Sequence, residues 1–322
     1  VSARFEGAQR QLSLSEWALG SLAGRSYVPL LDTEDAPAVT DEGAYRILVP
    51  ILNPRTESDL VRLACTLASE RQDAVVAPVH IVQTPSGRGR YGTSERRQIV
   101  DESDGLMADL GSIAEEYDVE YESSTVVSQQ SFEALFEVAR RQQADLVVMQ
   151  WDDNRVWGAG RADRSLSDLT RELPCDFLVL RNRGFDPSRV LLPTEGGHNC
   201  ELSAEVASTF ESAVGSDISL LHVVDGPHDR DAGEQFLAQW ASEHGLDDAA
   251  RIVDDSGDVE GAIAREARDN SLVVIGATER GVLSRLVHDS LNLSVIDDVE
   301  SSVLLTERAT KRSLRERLFG RD

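Results

Sequence analysis

Lysine is all but missing from this chain. Of 32 basic side chains only Lys311 is a lysine, set against 57 aspartates and glutamates for a net charge of −25. That balance argues against nucleic acid as a partner, because neutralisation of phosphates by Lys and Arg supplies most of such affinity. An acid-rich, lysine-poor composition suits a protein kept hydrated in very high salt, where long-range repulsion is screened. Cysteine is scarce too. Cys65, Cys175 and Cys200 are odd in number and widely spaced, which gives neither a disulfide framework nor a CxxC zinc pattern and points to a reducing compartment. They read as small buried apolar residues. No apolar run approaches the ~20 residues of a membrane helix, and no charged n-region with an apolar h-region opens the chain. Because it begins at Val1 and not at Met, the chain reads as a piece of something longer.

Catalytic signatures are absent as well. There is no GxSxG elbow, no HExxH and no Walker lysine, Lys311 standing far from any glycine loop. We expect no enzyme and no catalytic residue. His198-Asn199-Cys200 has no further close ligands, so no metal site is expected either.

What the chain does contain is a repeat. Its 322 residues, 41% hydrophobic and 28% charged, are about twice the ~150 of a single domain. Residues 45–50 (YRILVP) match 188–193 (SRVLLP), and 77–85 (APVHIVQTP) match 219–227 (SLLHVVDGP), pairing His80 with His222. Later, 144–149 (ADLVVM) match 270–275 (NSLVVI), and 176–180 (DFLVL) match 302–306 (SVLLT). The offset drops from 142–143 to 126, so the first copy carries about 16 extra residues. They fall in the Gly/Arg/Ser-rich stretch from Ser86 to Arg97, which reads as a long loop.

In the first copy, β-branched runs place strands near 46–50, 75–82, 120–127, 145–150 and 176–181. Helices fit between them near 57–70, 99–117, 131–142 and 164–173. Strands alternating with helices of this length mean βαβ units, hence a parallel sheet with helices on both faces. The expected fold class is α/β: two tandem five-stranded, Rossmann-like domains making a pseudo-dimer. The division runs 1–44, lead-in and linker; 45–184, first domain; 185–307, second domain; 308–322, basic tail. In the lead-in, Ser13 to Glu16 is a capping box, and Leu14, Trp17, Ala18, Leu19 and Leu22 form an apolar stripe for the body or a partner. Residues 32–44 are acidic and linker-like.

The residues 270–290 focus the question of function. A short apolar strand, Leu272 to Ile275, runs into Gly276, a small-residue turn, Gly281 and an amphipathic segment. Such strand–loop–helix junctions lie at the carboxyl edge of a parallel sheet, where backbone N–H groups can face an anion.

Together, the RILVP strand, the HVV strand and VVIGATERGVLSRLVHDS, each in its place twice over, resemble tandem universal stress protein (Usp) domains across residues 45–307. In detail, LVPILNPRTESDLVRLA, GATERGVLSRL and KRSLRERLFG resemble the cytosolic Usp-like regions of halophile transporters of the amino acid, polyamine and cation superfamily. ATP-binding Usp members carry Gly-x2-Gly-x9-Gly-Ser after the fourth strand and an Asp after the first. By that resemblance the nucleotide site of the second copy would comprise Gly276, Ala277, Thr278, Gly281, Ser290, Thr194 and Val223. The chain departs from the pattern, however. Glu279 and Asp289 occupy glycine positions, and Thr194-Glu195 replaces the Asp. A carboxylate ~4 Å from a phosphate charge, at an effective ε of ~20, repels it by ~4 kcal/mol, about a thousandfold in affinity. In the first copy the stretch from Met149 to Gly160 lacks the first glycine, Asp163-Arg164 stands where Gly-Ser should be, and Asn53-Pro54 follows the first strand. No cofactor is therefore expected in the first copy, and only AMP or ATP is a candidate in the second.

The resemblance implies a cytosolic regulatory and dimerisation domain of a membrane transporter, amino-acid-permease-like or cation-coupled, on the cytoplasmic side of the membrane. Its partners would be a second copy and the transporter's membrane part. The alternative is a free-standing stress protein that binds ATP or AMP. His80 and His222 are expected to make hydrogen bonds internal to the fold. Lys311, Arg312, Arg315 and Arg317, with Leu314, Leu318 and Phe319, form the one basic cluster, either a solvated end or a dock for an anionic surface.

Overall fold

The computed structural model describes residues 30–31, 43–83, 93–128, 131–151, 173–276 and 299–309. After a short strand β1 (Leu30–Leu31), the first half runs β2 (Tyr45–Ile51), α1 (Ser58–Ser69), β3 (Ala74–Gln83), α2 (Thr93–Glu116), β4 (Glu120–Tyr121), β5 (Ser124–Ser128), α3 (Ser131–Arg141), β6 (Leu146–Gln150) and β7 (Asp176–Arg181). The second half runs β8 (Arg189–Pro193), α4 (His198–Val214), β9 (Asp217–Val223), α5 (Arg230–Glu243), β10 (Ala250–Asp254), α6 (Val259–Glu266), β11 (Leu272–Gly276) and β12 (Ser302–Glu307). Strand order is β5-β3-β2-β6-β7 in one half and β10-β9-β8-β11-β12 in the other, the same order twice. The fold is the expected α/β class with a mostly parallel sheet.

The inner strands are apolar along their whole length because helices cover both faces. In β2, Ile47, Val49 and Ile51 join one buried core and Leu48 joins the other, as a period of two requires. Each core crosses both halves: Leu60, Met107, Phe210 and Leu237 lie in the first, and Phe136, Phe177, Leu191 and Ile263 in the second. Pro78 explains a break in one ladder. The pairing of β3 with β2 runs unbroken past Val49↔Pro78, while on the other side β4 pairs only Val75 and Val76 and β5 resumes at Val79. A residue without an N–H interrupts the outer ladder there. Helix α4 ends on Gly215, whose left-handed backbone (φ 68°) lets its N–H reach Glu211 and Phe210 carbonyls before β9 begins.

One expectation is corrected. The extra residues of the first copy are not all loop, since helix begins at Thr93. Glu95, Arg96, Arg97 and Gln98 are good helix formers, and polar composition alone does not separate a loop from a helical turn. Residues 84–92, the expected helix at 164–173 up to residue 172, the lead-in stripe and the tail beyond Ala309 lie outside the described residues, and Leu173 itself is not helical. Strand β1 was not anticipated.

The halves meet through their last strands. β7 and β12 pair antiparallel, and Val179 faces Leu305, which is its own repeat equivalent. A pseudo-two-fold axis therefore passes between these two residues, as in an isologous dimer. Helices α1 and α4 pack across the same axis. Each strand exit is tied to the first helix of its own half. Asn182 Nδ2 donates to Asp59 at 2.8 Å, and Arg308 pairs with Glu205 at 2.5 Å. Arg308 also lies 3.8 Å from Asp176 of the opposite half. Among the described residues no helix is long and apolar enough to cross a membrane.

Candidate functional site

In parallel α/β sheets ligands bind where strands end in loops at the carboxyl edge. β8, β9 and β11 are neighbours, so their carboxyl ends bring Thr194, Val223 and Gly276 to one stretch of that edge. Gly276 and Val223 are half-buried, and Thr194 is buried. Ala277, Thr278, Gly281 and Ser290 lie outside the described residues, as do Glu279, Asp289, Asp163 and Arg164.

The loop after β8 is held from below. Thr194 N–H donates to the Leu221 carbonyl at 2.8 Å, and Thr194 Oγ1 accepts from Gly196 N–H at 3.1 Å. The Thr194 carbonyl accepts from His222 Nδ1 at 2.9 Å, which fixes the proton on that nitrogen because a carbonyl only accepts. The His222 ring leans on Phe236, with centroids 4.5 Å apart. Gly196 and Gly197 then turn the chain with φ of 81° and 84°, and a Cβ on Gly196 would come within 3.1 Å of Phe236. Both the backbone angle and the aromatic ring require glycine there. Helix α4 follows, with Gly197 as an N-cap that offers no side-chain acceptor.

The loop after β2 is built differently. Glu57, 5% exposed, stands at the N-cap position of α1, and its carboxylate turns back toward the strand end instead of onto the helix. Glu57 Oε2 accepts Leu52 N–H at 2.7 Å and Asn53 N–H at 2.9 Å. These are donors an incoming anion would need, and the chain's own carboxylate already holds them. Asn53 closes the turn: its Oδ1 accepts Arg55 N–H at 3.3 Å and its carbonyl accepts Thr56 N–H at 3.0 Å.

Both strand-two histidines make bonds internal to the fold. His80 Nδ1 lies 2.7 Å from Ser103 Oγ, which lies 2.6 Å from Thr125 Oγ1. Ser103 and Thr125 are 1% and 0% exposed, so the two hydroxyls are buried in the fold, while His80 is half-buried, and that burial holds it below the usual imidazole range. The thiols are likewise inert. All three are buried, and burial pushes Cys65 up to about 12 and raises Cys175 as well. Among the described residues no group of His, Cys, Asp and Glu is placed to hold a metal.

Glu57 and Phe236 were missed by the sequence reading. A glutamate four residues beyond an Asn-Pro turn, at the head of an apolar helix, is the signal for the first. Nothing local marks the second, because His222 and Gly196 reach it through the fold.

The architecture is that of the Usp class of α/β proteins. Residues 44–181 match the Universal stress protein family. A universal stress protein from Archaeoglobus fulgidus superposes over 83% of this chain and 97% of its own, with a TM-score of 0.58 at 12% identity. The cytoplasmic domain of a prokaryotic cation chloride cotransporter does so over 84% and 97%, with a TM-score of 0.55 at 13% identity. A putative universal stress protein from Pseudomonas aeruginosa covers 82% and 93%, with a TM-score of 0.53 at 17% identity. These likenesses extend the shared fold well beyond residues 44–181. No curated protein matches the chain.

Proposed function

We propose that this chain is the cytosolic regulatory domain of a membrane transporter, amino-acid-permease-like or cation-coupled, and works as a homodimer on the cytoplasmic face of the membrane. It is not an enzyme on this reading, and its first half takes no nucleotide. The observation that carries it is Glu57, whose carboxylate holds the Leu52 and Asn53 N–H groups at 2.7 and 2.9 Å. A half closed in this way serves as scaffold and not as receptor. The single sheet that joins the halves suits a rigid relay, and the cotransporter domain with the same fold supports the transporter setting. Light scattering at several molar salt tests the dimer, since a chain that stays monomeric would sink that part. Calorimetry with ATP, AMP and cyclic dinucleotides tests the rest, and saturable heat lost in Glu57→Ala would overturn the closed first half.

One observation favours a second reading, a stress protein that binds ATP or AMP in its second half alone. The loop from Thr194 to Gly197 turns through two left-handed glycines, which leave its backbone approachable. Saturable nucleotide binding lost on Gly276→Leu would establish that reading, and no heat at millimolar ligand would remove it.

A further inference from the structure

The two outer edges of the sheet are chemically unlike. β10, which has no outer neighbour among the described residues, reads Ala250-Arg-Ile-Val-Asp254 and is guarded by charge. Arg251 is exposed and reaches the Asp247 carbonyl at 3.3 Å, while Asp254 is engaged by Ser256 and Arg265. Charged side chains on an edge strand discourage a further strand from pairing. β5 reads Ser124-Thr-Val-Val-Ser128, with no charge and a β-branched centre, the composition most prone to accept one. It is β5 that is covered. β1 lies parallel to it, with Leu30 opposite Thr125 and Leu31 opposite Val126.

The covering is specific to the first half in a second way. Helix α2 has 24 residues where its counterpart α5 has 14, and β1 lies against α2 as well as β5. The added helix and the added strand thus share one corner of the molecule. The chain length allows β1 to be the chain's own. β1 and β2 run in the same direction with β5 and β3 between them, a lateral step of about 14 Å and a return of about 23 Å along the strands. Residues 32–44 can span at most about 45 Å.

We propose that the β5 edge and the flank of α2 form a docking slot for an extended apolar segment, filled in cis by Leu30 and Leu31 through strand addition. Leu30 and Leu31 are thereby tied to the first half, by a pairing of two residues that is short enough to release. Its position gives release a route inward. Thr125, which faces Leu30, belongs to the buried polar chain through Ser103 to His80 at the end of β3. The slot is independent of what the chain regulates and of whether any nucleotide binds.

Disulfide trapping in the full chain tests it. Leu31→Cys and Val126→Cys are register partners, within the Cα spacing a disulfide spans, and the three native thiols are buried. Mild oxidation is expected to give a reducible cross-link within one chain, seen as a mobility shift at monomer mass. A cross-link between chains, or none, overturns the cis slot. Because Val126 is a core residue, a second variant leaves β5 untouched: Leu31→Pro removes a ladder donor. Amide exchange over residues 124–128 should then speed up about tenfold. Unchanged exchange there overturns the proposal.

Discussion

The equivalent strands β2 and β8 carry matching prolines near their ends, Pro50 and Pro193, and from there they diverge. After Pro50 the backbone N–H groups of Leu52 and Asn53 are claimed by Glu57. After Pro193 the chain passes through Thr194 into two left-handed glycines, steadied from beneath by His222 and Phe236. One frame therefore carries a loop that has become structure and a loop that has stayed approachable. The difference teaches that a repeated fold preserves the position of a site and not its chemistry. It also separates the histidines: His80 bonds a buried pair of hydroxyls, while His222 holds up the glycine loop.

The largest test asks whether the halves are separable at all. Phe177, fully buried on the central strand and stacked 5.4 Å from Phe136, should cost about 3–5 kcal/mol as Phe177→Ala. Both halves should melt together in one calorimetric transition, because they share the sheet at β7 and β12. Two resolved transitions would show that the seam does not couple them.

Next comes Glu57. Glu57→Ala leaves two backbone donors without their carboxylate and should destabilise by about 3 kcal/mol in urea unfolding, and Glu57→Gln by about half as much. Thr194→Ala, its counterpart, should cost only about 1 kcal/mol. Equal losses at the two positions would erase the contrast. Gly196→Ala should cost about 1–2 kcal/mol through its left-handed backbone, with Phe236 adding resistance, and is read by thermal melting.

The smallest effect is one of pH. Burial lowers His80 from the ordinary value of 6.5, so the unfolded chain takes up a proton there before the folded one does. Its stabilising share is complete above pH 6.5 and is lost as pH falls toward the folded value. His80→Gln should flatten that acid-side decline in a series of melts, and an unaltered slope would remove His80 as its source.

Much of the frame was legible in the residues. The apolar β-branched runs and the helical stripes between them are local patterns, and their recurrence gave the succession of elements twice. The grouping of Thr194, Val223 and Gly276 came from the family resemblance, and the crossover that sets β11 beside β8 is visible only in the fold. The loop chemistry was less legible. Asn53-Pro54 already suggested a poor anion site, yet the agent that fills it, Glu57, acts through a backward reach that no periodicity encodes. The helical start at Thr93 was hidden because polar helix formers and polar loop residues have the same composition. Phe236 lies 40 residues beyond the glycine it packs on, and only the fold introduces them.

By itself, then, the sequence determined the elements, their repetition, the near-absence of lysine and the lack of a disulfide framework or a catalytic motif, because each is a property of neighbouring residues or of composition. Tertiary structure decided which ends meet. Val179 faces Leu305 across 126 residues, Leu30 faces Thr125 across 95, and the Glu57 carboxylate closes on its own strand end. Such pairings depend on chain closure and on packing over the whole sheet, where one added strand or one turned carboxylate changes which donors remain within reach.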